Sequence, residues 1–179
     1  VTYMGTGVLG FCRNIKQVTL SNSINQLGEA TFQYCEKLKN VYIPETVTSI
    51  GKSAFAESGV EIVDIPNGVT VISSATFMRC MDLKEIRFPI NLLSVGSQAF
   101  YGTSLKEIII PDKVTFIGES AFEACTELAS VSLGESVNSI GNYAFYGCSQ
   151  LKTINLPNSL LSLGQGAFAR CSNLTSIQL

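Results

Sequence analysis

The feature that most constrains this chain is a sequence unit that recurs every 22 or 23 residues along its whole length. Apolar positions that repeat at such a period are typical of a solenoid, because one copy cannot bury its apolar face alone and stacked copies form a continuous core. The sequence therefore predicts a single solenoid domain of about eight copies over residues 1–179. Leu9 marks the first copy, and the others are marked by Phe32, Phe55, Phe77, Phe100, Phe122, Phe145 and Phe168.

One stretch of each copy predicts a short β-strand. In the second copy this stretch is Leu38-x-x-Val41-x-Ile43. Because side chains alternate between the two faces of a strand, we expect Val41 and Ile43 to point inward and Asn40 and Tyr42 to point outward. One such strand per copy predicts a parallel sheet on the concave face of a right-handed coil. A proline, which has no amide hydrogen, ends the predicted strand in five copies: Pro44, Pro66, Pro89, Pro111 and Pro157.

The remainder of each copy predicts a corner and a short turn. A second apolar pair, such as Val137 and Ile140, is followed by a glycine, here Gly141, whose missing Cβ permits a tight corner. Ser73 replaces this glycine in the fourth copy. The S-x-A-F-x-x-C stretch that follows is too short for a long helix, so we expect one helical or 3-10 turn.

These motifs resemble the BspA-type leucine-rich repeat proteins. Strands of the form L-x-x-V-x-I match the leucine-rich repeat core, and the I-G-x-x-A-F-x-x-C signature is complete at residues 117–125 and 140–148. Leu9 and Ser73 depart from it without breaking the register. The resemblance covers all copies and implies a leucine-rich repeat solenoid of the α/β horseshoe type. It also implies a cell-surface or secreted protein of bacteria or protists that attaches to other microbes or to host proteins such as fibronectin and fibrinogen.

Composition argues against several classes of function. The chain has no histidine, which removes the usual general base and the commonest metal ligand. Twelve lysines and arginines against fourteen acidic residues give a net charge of −2, which offers no basic excess for nucleic acid or an anionic membrane. We therefore expect neither an enzyme nor a cofactor, no binding of nucleic acid and no direct insertion into a membrane.

The six cysteines occupy one repeat position, and the two shorter copies, 50–71 and 95–116, carry Ser58 and Thr103 there. We expect a column of buried free thiols, because small hydroxyl residues replace cysteine where packing alone matters. Disulfides between neighbouring coils stay possible, because coils stacked at strand spacing come within the range of a disulfide. A zinc site is disfavoured, since no C-x-x-C pair is present. The column consists of Cys12, Cys35, Cys80, Cys125, Cys148 and Cys171.

The outward residues of the predicted strands are the candidate binding site, because solenoids commonly bind through their concave face. The middle of this face combines an aromatic ring, aliphatic side chains, an arginine and three acids, which is the composition of a protein interface. Free drift of exposed positions is the alternative. The candidate ligand-binding residues are Asn40, Tyr42, Ile62, Asp64, Glu85, Arg87, Glu107, Ile109, Ser132 and Asn155.

Three carboxylates lie on this face, Asp64, Glu85 and Glu107, and two neighbouring ones could also be considered as a catalytic pair. Neighbouring outward positions on a parallel sheet lie about 5 Å apart, which suits a retaining glycosidase. The face is open to water, however, and Arg87 is adjacent, so we expect a surface charge cluster.

The two ends of the chain lead to further expectations. Neither end is polar, and Leu179 is expected to be an interior strand residue, so we expect an excerpt of a longer array that lacks caps and can associate end to end. Residues 1–14 lack the charged flank and apolar stretch of a signal peptide. The first hypothesis is a non-catalytic module for surface adhesion. The alternative is an intracellular interaction scaffold or a structural spacer.

Overall fold

The computed structural model describes residues 1–178, and the expectation for Leu179 lies outside the described residues. Each of the eight coils contributes two strands, where the sequence predicted one, and the segment between them carries the marker residue. Within residues 1–178 there is no helix, and so none long and apolar enough to span a membrane.

The two strands of each coil lie in two different sheets. Sheet 2 holds the unpredicted strands β1 (Tyr3–Met4), β3 (Gln26–Leu27), β5 (Ser49–Ile50), β7 (Val71–Ile72), β9 (Ser94–Val95), β11 (Phe116–Ile117), β13 (Ser139–Ile140) and β15 (Ser162–Leu163). Sheet 1 holds the predicted strands β2 (Gln17–Val18), β4 (Asn40–Val41), β6 (Ile62–Asp64), β8 (Glu85–Arg87), β10 (Glu107–Ile109), β12 (Ser130–Ser132), β14 (Thr153–Asn155) and β16 (Ser176–Gln178).

Hydrogen-bonded strands in both sheets are parallel, and each residue pairs with its counterpart in the next copy. Ile108 pairs with Val131, 23 positions later, and Val95 pairs with Ile117, 22 positions later. In sheet 1 the ladder is continuous from β2 to β8, from β10 to β12 and from β14 to β16. In sheet 2 it is continuous from β1 to β5 and from β7 to β15. The predicted parallel solenoid of about eight coils is confirmed.

The segment around each marker residue is a run of turns, so the expected helical or 3-10 turn is not found there. In coil 3 the amides of Ala54 and Ala56 donate to carbonyls three residues earlier, at 3.2 and 3.0 Å. The amides of Ser53, Phe55 and Glu57 donate instead to carbonyls of coil 4, at 2.8 to 3.1 Å. An α-helix needs every amide for its own carbonyls. The bonds between coils, which we call the turn ladder, therefore replace the helix.

Two residues of every turn segment have a left-handed backbone conformation. Twelve of these residues are not glycine, including Ser53 at φ 54° and Glu57 at φ 57°. This conformation costs roughly 1–2 kcal/mol for a residue with a Cβ. The turn ladder offsets that cost, because it pairs amides and carbonyls that would otherwise be left without partners.

The marker phenylalanines form the predicted spine of the core. From Phe32 to Phe168, neighbouring ring centroids lie 5.1 to 5.4 Å apart, with the planes 5 to 24° from parallel. Val41 and Ile43 are buried beside this spine, as the alternation of the strand predicted.

Six of the eight sheet 2 strands are followed by a glycine that is needed because two coils approach closely there. A Cβ at Gly118 would lie 2.5 Å from the Ser97 nitrogen, and a Cβ at Gly51 would lie 2.5 Å from the Glu29 nitrogen. The backbone of neither glycine is left-handed. The tight corner expected from the sequence is therefore the wrong reason for glycine here, and contact with the preceding coil is the right one.

Ser73 shows what happens when this glycine is absent. The Ser73 hydroxyl donates to the Ile50 carbonyl at 2.6 Å, an acceptor that a glycine amide would use, as Gly51 uses Leu27 at 2.9 Å. Sheet 2 is interrupted at this place, between β5 and β7. The Cβ of Ser73 needs space that the close approach does not leave, so coils 3 and 4 part locally.

Candidate binding face

All ten candidate residues are exposed on the outer side of sheet 1 or just beyond its strands. Asn40, Ile62 and Glu85 lie side by side on β4, β6 and β8. Tyr42, which follows β4, is 68% exposed, and Ile109 at the end of β10 is 70% exposed. The structure therefore places the predicted residues on one face of the solenoid.

Arg87 organises the charges in the middle of this face. Its guanidinium forms salt bridges with Glu85 at 2.7 Å and with Asp64 at 3.1 Å. The hydrogen bond with Glu85, followed by the charge of Asp64, raises the pKa of the guanidinium, which stays protonated. The predicted surface charge cluster is confirmed for these residues. Glu107, by contrast, has no salt bridge within residues 1–178.

The C-terminal part of the face carries short polar side chains. Ser132 ends β12 and Asn155 ends β14, and both are exposed. The ladder is interrupted between these two strands, but their Cα atoms stay close. This part of the face is therefore polar, in contrast to the middle.

Sheet 1 opens between β8 and β10, at a place that we call the seam. Among the described residues, no backbone hydrogen bond joins the two strands. Few Cα atoms of β8 lie within 8 Å of a Cα atom of β10, whereas the Cα atoms of β12 and β14 lie close together. Coils 4 and 5 are therefore separated along this part of sheet 1.

Ser104 accounts for the seam. In coil 3 the corresponding residue is Gly59, whose amide donates to the Cys35 carbonyl at 3.1 Å. A Cβ on Gly59 would lie 2.1 Å from the Glu36 carbonyl oxygen, which no real contact permits. Ser104 has this Cβ, and its hydroxyl donates to the Met81 carbonyl at 2.7 Å. The strand that follows Ser104 is consequently held away from the preceding coil.

The seam forms a groove of about 990 Å³. Two side-chain hydrogen bonds bridge coils 4 and 5 before and after β10, from the Ser104 hydroxyl to the Met81 carbonyl and from the Lys113 ammonium to Asn91 at 2.8 Å. Phe88 lines the groove and packs edge-on against Phe100, with the ring centroids 5.7 Å apart. The groove therefore has an aromatic base that belongs to the edge of the core.

Sequence reasoning missed two side chains that line this groove, Phe88 and Ile90. Ile90 is 75% exposed at a corner where Glu45, Asn67 and Asp112 stand in other copies. The signal was present in the sequence, because residues 88–93 read FPINLL where the next copy has the polar corner IPDKVT. A comparison of the corners from copy to copy would have found it.

Five of the six cysteines are buried free thiols, as predicted, while Cys12 is exposed. Each buried thiol donates to a carbonyl of the preceding coil, for example Cys80 to Phe55 at 2.9 Å and Cys125 to Phe100 at 3.0 Å. Burial raises the pKa of Cys80 to about 12 and that of Cys125 to about 11. A neutral thiol is a poor nucleophile and metal ligand, so the column serves packing. No acidic or cysteine cluster in residues 1–178 is arranged to hold a metal ion.

Comparison with solved structures places this fold among leucine-rich repeat proteins. A leucine-rich repeat protein of T. pallidum is 29% identical, with 98% of this chain and 72% of that chain covered and a TM-score of 0.69. The pneumococcal vaccine antigen PcpA is 19% identical over 88% of this chain and 49% of that chain, with a TM-score of 0.56. A leucine rich cell surface protein of Faecalibacterium prausnitzii A2-165 is 20% identical over 99% of this chain and 83% of that chain, with a TM-score of 0.50. The last two show the fold alone.

A search of curated proteins finds no significant match. The sequence model described as "BspA type Leucine rich repeat region" matches residues 2–128 and 93–179, with 6 copies. These two ranges together cover nearly the whole chain, and the strands of sheet 1 follow the L-x-x-V-x-I pattern on which the resemblance was based. The chain belongs to the BspA-type leucine-rich repeat family.

Proposed function

We propose that this chain is a protein-binding module and that the outer face of sheet 1 recognises the partner. The observation that carries this proposal is the exposure of Tyr42, Ile62 and Ile109 on the same face as the Arg87 cluster. Aromatic and aliphatic side chains beside an arginine are the composition of interface cores. Exposed aliphatic side chains also have an unfavourable contact with water that binding would relieve.

The module is proposed to act at the cell surface, in adhesion to host proteins or to neighbouring cells. Membership of the BspA-type family supports this setting, because the resemblance implies surface attachment. Proteins of the extracellular matrix or plasma, such as fibronectin and fibrinogen, are therefore the first ligands to test.

The binding role is tested with fibronectin and fibrinogen immobilised on a biosensor. The double variant Tyr42→Ala with Arg87→Glu should raise Kd by about tenfold or more, because it removes the ring and reverses the charge at the centre of the face. Lys52→Ala is the control, since Lys52 is exposed on the turn segment of coil 3. Equal losses in the two variants would contradict the assignment of this face.

The cellular setting is tested by protease treatment of intact source cells, followed with an antibody against this chain. Loss of the signal without lysis is the expected result. Protection until lysis would instead favour the alternative, an intracellular scaffold or structural spacer.

A further inference from the structure

We propose that the seam is the anchor point of the binding face and that it receives an extended protein segment in which an apolar side chain adjoins a lysine or arginine. This inference rests on the proposed binding role of sheet 1. It adds the location of the strongest contact and the chemistry of the partner.

The apolar half of the proposal follows from the walls of the groove. Phe88, Ile90 and Ile109 all line it, and the two isoleucines are 75% and 70% exposed. A groove of about 990 Å³ is large enough for several side chains of a bound segment. Side chains that fill such a groove remove three large apolar groups from water at once, which is how interface anchors act.

The extended shape of the partner follows from the open edges of the two strands. Backbone groups of β8 and β10 that face the seam have no backbone partner within the described residues. An entering segment in the extended conformation can pair with such groups through its own main chain. The hydrogen bonds of Ser104 and Lys113 still join coils 4 and 5 before and after β10.

The basic half of the proposal follows from the charges beside the apolar wall. Arg87 is shared between Glu85 and Asp64, whereas Glu107 has no salt bridge among residues 1–178. Glu107 occupies the outward position two residues before Ile109 on the same strand. A lysine or arginine next to the apolar anchor would pair with this carboxylate. Lys84, Lys106 and Lys113 also line the groove. Lys84 pairs with Glu61 and Lys113 donates to Asn91, while Lys106 precedes β10 and does not share the outward positions of Glu107 and Ile109.

The test is to pan a phage-displayed library of random nine-residue peptides against the whole folded chain. Enriched peptides should contain an aliphatic or aromatic residue within two positions of lysine or arginine. Ile109→Ser and Glu107→Gln should each weaken their binding, by about tenfold or more for the first. Leu161→Ser and Glu127→Gln are matched controls, because both residues are exposed and lie away from the seam.

A third variant, Ser104→Gly, tests the opening itself. This change removes the Cβ that holds coils 4 and 5 apart. It should reduce binding of the same peptides, although it alters no side chain that lines the groove. Absence of enriched peptides, or equal binding by the three seam variants and the wild-type chain, would overturn the inference. Peptides that respond to Tyr42→Ala but not to the seam variants would leave the binding role of sheet 1 standing. Peptides that respond to neither would contradict both proposals.

Discussion

Coils 5 and 6 stack closely, whereas coils 4 and 5 part at the seam, although the same repeat builds both junctions. At the close junction, β10 and β12 pair along three residues, and Gly118 lies where a Cβ would be 2.5 Å from the preceding coil. At the seam, Ser104 has a Cβ in a position where Gly59 of the other short copy has none. Ser104 therefore has a side-chain carbon where the close approach of coil 3 to coil 2 leaves no room for one.

The two junctions also differ in the side chains that they expose. At the close junction the outward residues of β12 are Ser130 and Ser132. Across the seam the outward residues of β8 are Glu85 and Arg87, and an apolar corner at Ile90 follows them. Ile109 and Glu107 lie on β10, which both junctions share. The chemistry suited to binding is thus concentrated where the sheet is open.

The largest difference is expected in the free energy of unfolding, when an aromatic ring is removed from the core spine and, separately, from the base of the seam. Phe122→Ala, in the closed spine, should lower the free energy of unfolding by about 3–5 kcal/mol, because a fully buried ring leaves a cavity. Phe88→Ala, at the half-buried base of the seam, should cost only about 1–2 kcal/mol. Urea unfolding measures both. Equal losses would mean that the base of the seam is packed as tightly as the spine.

A smaller effect is expected from two single substitutions, glycine to serine at the close junction and serine to glycine at the seam. Gly118→Ser should destabilise the chain by about 1–3 kcal/mol, since its Cβ would meet the Ser97 nitrogen. Ser104→Gly should slow hydrogen exchange of the amides in β8 and β10 that face the seam, because the strands can then pair. Hydrogen-exchange mass spectrometry reads out the second change. Unaltered exchange in Ser104→Gly would show that something other than the Cβ keeps the seam open.

The two serine hydroxyls that bridge parted coils should contribute about 1 kcal/mol or less. Ser73→Ala removes a part-buried bond to the Ile50 carbonyl, and Ser104→Ala removes an exposed bond to the Met81 carbonyl. We therefore expect the first variant to lose more stability than the second in thermal unfolding. The reverse order would indicate that the exposed hydrogen bond at the seam contributes more to stability than its exposure suggests.

The smallest effect concerns the thiols and asks whether the seam admits water to the core. Burial raises the pKa of Cys80 to about 12 from its ordinary value of 9.0, so its stabilising contribution is complete below pH 9 and is lost as the pH rises toward 12. At pH 9 the loss from one such thiol is less than about 1 kcal/mol. Cys80→Ala should therefore flatten the fall in stability above pH 9, and Cys125→Ala should do the same. If only Cys125→Ala had this effect, the core next to the seam would be hydrated.

The sequence was sufficient to predict the solenoid, its period, the sheet 1 strands and the packed phenylalanine spine. These features depend on apolar side chains that recur in every copy, and such recurrence is visible without coordinates. The outward positions of the candidate face followed from strand alternation alone, which is why all ten proved to be exposed. Their role in binding stays a prediction.

Sheet 2, the turn ladder and the seam were not predicted, for a common physical reason. Each depends on backbone groups of neighbouring coils, and bonds between backbones leave a weak trace in side-chain patterns. Left-handed residues such as Glu57 and Arg79 have no sequence signal, because the ladder and not the side chain stabilises that conformation. The groove arises from the single difference between Gly59 and Ser104, which is evident only when copies are compared position by position.

The turn ladder has an electrostatic consequence. In coil 3, the carbonyls that face coil 2 and the amides that face coil 4 belong to the same peptide units, for example the unit between Ala54 and Phe55. These units consequently point the same way along the solenoid axis, and their dipoles add as they do in an α-helix. Each further coil extends this column of aligned dipoles, with its positive end toward the later coils. The electric field at a given binding face therefore depends on how many coils precede and follow it.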